Sequence, residues 1–146
     1  MTEQKKIMVI HGPNLNMLGQ REPGVYGTAT LDDVNAMLSR RAVEKGLAVE
    51  PFQSNHEGAL VDKIQAAVGV VRGMIINPAA FTHTSVAIKD ALLLLDVPVI
   101  EVHISNVYKR EPFRHVSMVS DVVTGKIVGL GVNGYKLALD ALAEMV

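Results

Sequence analysis

Short apolar runs alternate along this chain with longer stretches of helical period. Residues 7–10, Ile-Met-Val-Ile, read as a buried strand. Thr30 is placed to cap a helix whose inward stripe is Leu31, Val34, Met37, Leu38 and Val43, with Gly46 closing it. Leu47–Gln53 reads as a second strand, and 56–68 as a helix with Leu60, Val61, Ile64 and Ala67 inward. Gly73–Asn77 is short and apolar enough to be a strand buried on both faces. A helix over 84–95, a strand over 98–103, a candidate short strand at 116–119, a fifth strand over 126–130 and a last helix over 132–145 follow. Such alternation predicts a parallel sheet with helices on both faces. Five strands in 146 residues match a flavodoxin-like, doubly wound α/β/α sandwich of strand order 2-1-3-4-5, in one domain covering 1–146. A closed eightfold barrel would need roughly 250 residues.

One segment breaks the pattern. Residues 11–27, HGPNLNMLGQREPGVYG, follow the first strand with neither period, and carry Gly12, Gly19, Gly24, Gly27, Pro13 and Pro23. Structureless connections beyond about 12–15 residues are uncommon in compact domains, and are usually lids, binding loops or disorder. Leu15, Met17, Leu18, Val25 and Tyr26 argue against disorder, so the segment reads as a functional lid, mobile at about 19–28.

Composition narrows the chemistry. Hydrophobic residues make up 49% and charged residues 20%, with mean hydropathy +0.25, which hints at surface buried between subunits. The formal net charge of -1 offers no basic field for nucleic acid. Cysteine is absent, excluding disulfides, thiolate metal sites and a cysteine nucleophile. No apolar run is long enough for a membrane span, and the opening MTEQKKIMVIHGPN lacks a long apolar signal region. A cytoplasmic protein is the expectation.

Ligands of doubly wound sheets bind beyond the carboxyl ends of the strands. There the sequence places His11 and Asn14, the run 54–57 (Ser-Asn-His-Glu), Asn77, the run 82–84 (Thr-His-Thr), and the run 101–106 (Glu-Val-His-Ile-Ser-Asn). Glu101 and His103 lie two residues apart on one strand face. A carboxylate beside an imidazole favours the protonated ring and orients it for general acid work. Tyr26 either caps apolar surface or, with Arg21 nearby favouring phenolate, serves as a base. Asn14 and Asn77 are suited to holding a water or an anionic oxygen, and equally to making turns.

Other patterns lead nowhere. The run 129–134, GLGVNG, fits the dinucleotide fingerprint GxGxxG, but the chain has no room after it for the further strand and acidic residue. Its glycines are better suited to a tight turn and close helix packing. The five histidines lack the paired spacing of a zinc site, and there is no GxSxG elbow. Two rivals remain: a flavodoxin-like flavin- or nucleotide-binding module using the 11–27 loop as a phosphate cradle, and a scaffold whose apolar surface serves assembly.

The blocks HGPNLNMLGQREPGVYG (11–27), QSNHEGALVDKIQ (53–65), NPAAFTHTSVAIKDAL (77–92), EVHISN (101–106) and GLGVNGYKLAL (129–139) together resemble the type II 3-dehydroquinate dehydratases. That resemblance implies a flavodoxin-like fold and the dehydration of 3-dehydroquinate to 3-dehydroshikimate, without metal, cofactor or Schiff base. By it, Tyr26 would remove the C2 proton, with Arg21 promoting its ionised form, and a water held by Asn14 would stabilise the enolate. His103, oriented by Glu101, would protonate the departing C1 hydroxyl. Asn77 and the main-chain amides of Ile104 and Ser105 would bind the substrate carboxylate, and His83 and Arg114 the ring hydroxyls. Arg110 matches a second lid-closing arginine, and Asp90 would reach a neighbouring subunit's site. The family assembles as trimers within a dodecamer. Phe81 stands where many members carry Tyr.

Overall fold

The computed structural model describes residues 4–20, 24 and 27–146. Its strands are β1 (Lys5–His11), β2 (Leu47–Gln53), β3 (Gly73–Asn77), β4 (Val99–His103) and β5 (Gly125–Val128). They form one sheet of order β2-β1-β3-β4-β5, parallel at every pairing. Among the described residues, the helices of seven residues or more are α1 (Leu31–Glu44), α2 (Glu57–Ala67), α3 (Val86–Leu92) and α4 (Asn133–Met145). This is the doubly wound α/β sandwich expected from the alternation of elements.

Strand periodicity divides the core into two layers. Ile7, Val9, Ile75, Ile100 and Val102 face α1 and α4, meeting Val34, Leu38, Tyr135, Leu139 and Leu142. Met8, Ile10, Met74, Ile76 and Val99 face the other side, against Leu60 and Ile64 of α2 and Ile88 of α3. Burying each large aliphatic side chain contributes about 1.5–3 kcal/mol, so the faces are held by many comparable contacts. Arg41 of α1 adds a bidentate pair to Asp140 of α4, both bonds 2.8 Å.

Helix starts follow their capping chemistry. Thr30 and Asp33 form a reciprocal capping box at α1. The inward stripe of α1 ends on Ala42; Val43, expected inside, is 72% exposed because it lies one helical step further round. α3 is shorter than the expected 84–95. The Ser85 hydroxyl accepts from the Ile88 amide and fixes the start, while residues 79–83 form a separate 3-10 turn. Its end comes before Pro98, with Leu94 and Leu95 amides making tightened three-residue bonds.

No strand forms at 116–119. The Ser117 hydroxyl accepts from the amides of Val119 and Ser120, folding this stretch into a turn instead. β5 ends at Val128 because Gly129 takes a left-handed φ of +87°.

Candidate active site

The carboxyl ends of β1, β3 and β4 open onto one cavity. Asn14, Asn77 and His83 line it, together with His103, Ser105 and Arg110. Ile104 and Arg114 complete the polar and backbone groups, and Leu15, Leu18 and Val107 supply apolar wall.

Two close approaches build this arrangement. The Gly12 amide donates to the Asn77 carbonyl at 2.7 Å, bringing the end of β1 against the end of β3. A Cβ on Gly12 would sit 2.4 Å from the Pro78 carbonyl oxygen, so no other residue fits without moving backbone. Beyond it Asn14 adopts a left-handed φ of 69°, its amide donating to Asn55 Oδ1 at the end of β2. Ala79 also has positive φ, 53°, and donates its amide to Asn77 Oδ1. Both of these non-glycine residues in left-handed conformation line the cavity, where backbone strain commonly accompanies function.

Beneath the cavity lies a buried ionic group. Glu101, with no exposed surface, accepts from His103 Nε2 at 2.5 Å and from the Thr82 hydroxyl at 2.8 Å on one oxygen. Its other oxygen accepts from the Ser120 hydroxyl at 2.7 Å, which in turn accepts from Lys126 Nζ at 2.9 Å. Burial opposes ionisation of this carboxyl, yet the bonds from His103, Ser120 and Thr82 outweigh it and hold it below the usual carboxylate range. An ionised carboxylate only accepts, so His103 Nε2 is a donor. Nδ1 is thereby left as the ring nitrogen able to take up or release a proton at the cavity.

His83 is set up differently. Its Nδ1 donates to the Val116 carbonyl at 2.7 Å. Burial, and to a lesser degree the charges of His103, Arg114 and Lys126, lower its affinity for a proton. The ring is neutral, with Nε2 an acceptor for a hydroxyl.

Glycines of the run 129–134 brace the end of β4 from outside the cavity. The Gly129 and Gly131 amides donate to the carbonyls of His103 and Ile104. In a trans peptide the next N–H points the opposite way, so the Ile104 and Ser105 amides are turned away from this glycine turn. Gly134 lets α4 pack on Val102 and Ile127. The turn-making and packing roles expected of this GxGxxG run are the ones it has.

A profile of the family described as dehydroquinase class II matches residues 5–143. The chain belongs to this family. Among class II dehydroquinase relatives, the catabolic 3-dehydroquinase of Penicillium rubens is 62% identical over 136 residues, covering 93% of this chain and 88% of that protein. The 3-dehydroquinate dehydratase of Aeromonas salmonicida is 57% identical over 146 residues, 100% of this chain and 98% of its own. The crystal structure of type II dehydroquinase from Propionibacterium acnes superposes with a TM-score of 0.94 at 49% identity, covering 99% of each chain.

Most residues that the sequence singled out for this dehydroquinase site lie together. Asn14, Asn77, His83, His103, Ile104, Ser105, Arg110 and Arg114 line the cavity, with Glu101 directly behind His103. Arg21 and Tyr26 fall outside the described residues. Asp90 is exposed on α3 and does not line the cavity. His11, grouped with the rim by sequence, turns inward and is buried, while His56 and Glu57 begin α2. Sequence reasoning missed Ser120 and Lys126 behind Glu101, and Asn35 and Tyr135 behind Asn77; the Ser120–Glu101 and Tyr135–Asn77 contacts cross 19 and 58 residues of chain. Among the described residues, no group of three His, Cys, Asp or Glu could hold a metal, and no helix is long and apolar enough to cross a membrane.

Proposed function

We propose that this chain dehydrates 3-dehydroquinate to 3-dehydroshikimate through an enolate, with Tyr26 as base and His103 as acid. The observation that carries the mechanism is the buried Glu101–His103 pair opening onto the cavity beside Asn77 and Ser105. A general acid needs a proton at the reacting edge and a counter-charge away from it, and this pair supplies both.

Tyr26 phenolate, favoured by the Arg21 guanidinium, takes the C2 proton alpha to the ketone. The C–H electron pair forms the C2–C3 double bond, and the charge passes to the C3 oxygen, stabilised by a water on Asn14. The enolate then reforms the ketone, and its electrons make the C1–C2 double bond as the C1 hydroxyl departs. His103 gives that oxygen a proton, so it leaves as water. Asn77 and the amides of Ile104 and Ser105 hold the carboxylate. Neutral His83 accepts from a ring hydroxyl, while Arg114, anchored to Glu111 at 3.1 Å, holds another.

The lid, residues 19–28, would close over bound substrate with Arg110 among its contacts, making 1–146 one catalytic unit. Trimers assembled into a dodecamer, with Asp90 reaching a neighbour's site, belong to the same proposal, as does a cytoplasmic setting. No lysine lines the cavity among the described residues, which supports a route without an imine.

The test is absorbance growth from the conjugated product when purified protein meets 3-dehydroquinate without added metal or cofactor. Borohydride added with substrate should trap no adduct. A folded, assembled sample that leaves 3-dehydroquinate unchanged would refute the assignment.

A further inference from the structure

A buried chain of hydrogen bonds runs from α1 to the Asn77 amide, and no step above uses it. Asn35 Oδ1 lies 2.8 Å from His11 Nε2, His11 Nδ1 lies 3.2 Å from Tyr135 Oη, and Tyr135 Oη lies 2.9 Å from Asn77 Nδ2. His11 and Tyr135 have no exposed surface and Asn77 only 3%.

The direction of every bond follows from its far end. The Ala79 amide donates to Asn77 Oδ1 at 3.0 Å, which fixes that amide's orientation and turns Nδ2 to Tyr135. Tyr135 oxygen therefore accepts, and its own proton goes to His11 Nδ1. The His11 ring carries its hydrogen on Nε2 and gives it to Asn35 Oδ1. Burial keeps the ring neutral, with its pKa at about 4, and pushes the Tyr135 hydroxyl up, so neither end disturbs this order near neutrality. With Oδ1 and one N–H engaged, Asn77 keeps one N–H donor at the cavity.

We infer that Tyr135 and His11 are positioning residues that lock the Asn77 amide so its remaining N–H is offered to the substrate carboxylate. This rests on the carboxylate-binding reading of Asn77. Without Tyr135 the amide would lose an orienting partner and could turn away. The carboxylate sits on C1, the carbon that loses its hydroxyl, but its own bonds and charge do not change in the reaction, so Asn77 holds it alike in ground and transition states and the loss should fall mainly on binding.

Steady-state kinetics on Tyr135→Phe and Asn35→Leu test this, with melting temperatures alongside. The Leu variant cuts the chain at its partly exposed end and serves if Tyr135→Phe does not fold. KM for 3-dehydroquinate should rise on the order of tenfold in Tyr135→Phe and a few-fold in Asn35→Leu, with kcat within about threefold of the parent. Product inhibition by 3-dehydroshikimate, which keeps the carboxylate, should weaken in parallel. Folded variants with lowered melting temperature but unchanged KM would make the chain merely structural and overturn the inference. An inactive parent protein would instead refute the dehydratase reading itself.

Discussion

Replacing Glu101 with Gln separates the charge of the buried pair from its shape. The carboxylate accepts from His103, Thr82 and Ser120, at 2.5, 2.8 and 2.7 Å. A Gln carbonyl oxygen can still accept from His103 and Thr82. Its amide can face Ser120, whose oxygen has lone pairs to share. The fold should therefore survive. The lost quantity is the negative charge that supports an imidazolium ready to protonate the leaving hydroxyl.

A hydrogen bond to a charged group contributes about 1.5–3 kcal/mol against roughly 1 for a neutral pair, a difference of about 0.5–2 kcal/mol whose middle value, about 1, sets the lower figure. The Coulomb attraction of unit charges about 4 Å apart, at an effective dielectric near 20, sets an upper figure of about 4 kcal/mol. Glu101→Gln should thus lower kcat by roughly five- to a thousandfold. The assay is product absorbance at saturating substrate, with the melting temperature measured in parallel. Glu101→Ala is the contrast: it strands buried donors of His103, Thr82 and Ser120 at about 1–3 kcal/mol each, and should chiefly destabilise. A folded Gln variant with kcat within twofold of the parent would refute the role given to this carboxylate.

Tyr26→Phe should keep the fold and lose roughly a hundredfold or more in kcat, the usual range for a missing general base; near-normal turnover would remove Tyr26 from that role. Acidification should weaken the fold in two windows. His11 is neutral when folded, with its pKa lowered to about 4, while the unfolded chain takes a proton near 6.5. Stability therefore falls as pH drops from 6.5 toward 4, by about 3 kcal/mol in total, and His11→Asn should flatten this stretch of the urea-midpoint profile. Glu101, with its folded value depressed, contributes stability above 4.5 that is lost only lower down, as pH falls through the folded value. Gly12→Ala would drive a Cβ into the Pro78 backbone and should lower stability by about 1–3 kcal/mol while raising KM, as Asn14 and Asn77 separate; an unchanged melting temperature would refute the close approach.

The fold was legible because its determinants are local or periodic. Thr30 caps α1 through neighbours three residues away, and the apolar core of Gly73–Asn77 could only be a strand buried on both sides. The errors came where a side chain outcompeted a pattern. Ser85 shortened a helix, Ser117 folded a would-be strand, and Val43 missed the core by one helical step. At the site, Glu101 and His103 were readable because a strand puts residues two apart on one face. Ser120, Lys126 and Tyr135 were not, since only tertiary folding brings them to their partners. The same reason hid the inward turn of His11: a strand-end histidine looks alike in sequence whether it meets solvent or a tyrosine.

The position of β1 has a consequence for how the chain is made. The first of these five strands to leave a ribosome is the second in the sheet, flanked by β2 and β3. Once β2 has paired with it, each later strand adds to the same growing edge: β3, then β4, then β5. Synthesis never has to open a finished pairing to insert a strand. α4, which follows all five strands in the chain, closes over the exposed face of that sheet and reaches back to α1 through Arg41 and Asp140. Until then Asn77 lacks Tyr135, so a nascent chain can hold its whole sheet and still lack a finished substrate pocket.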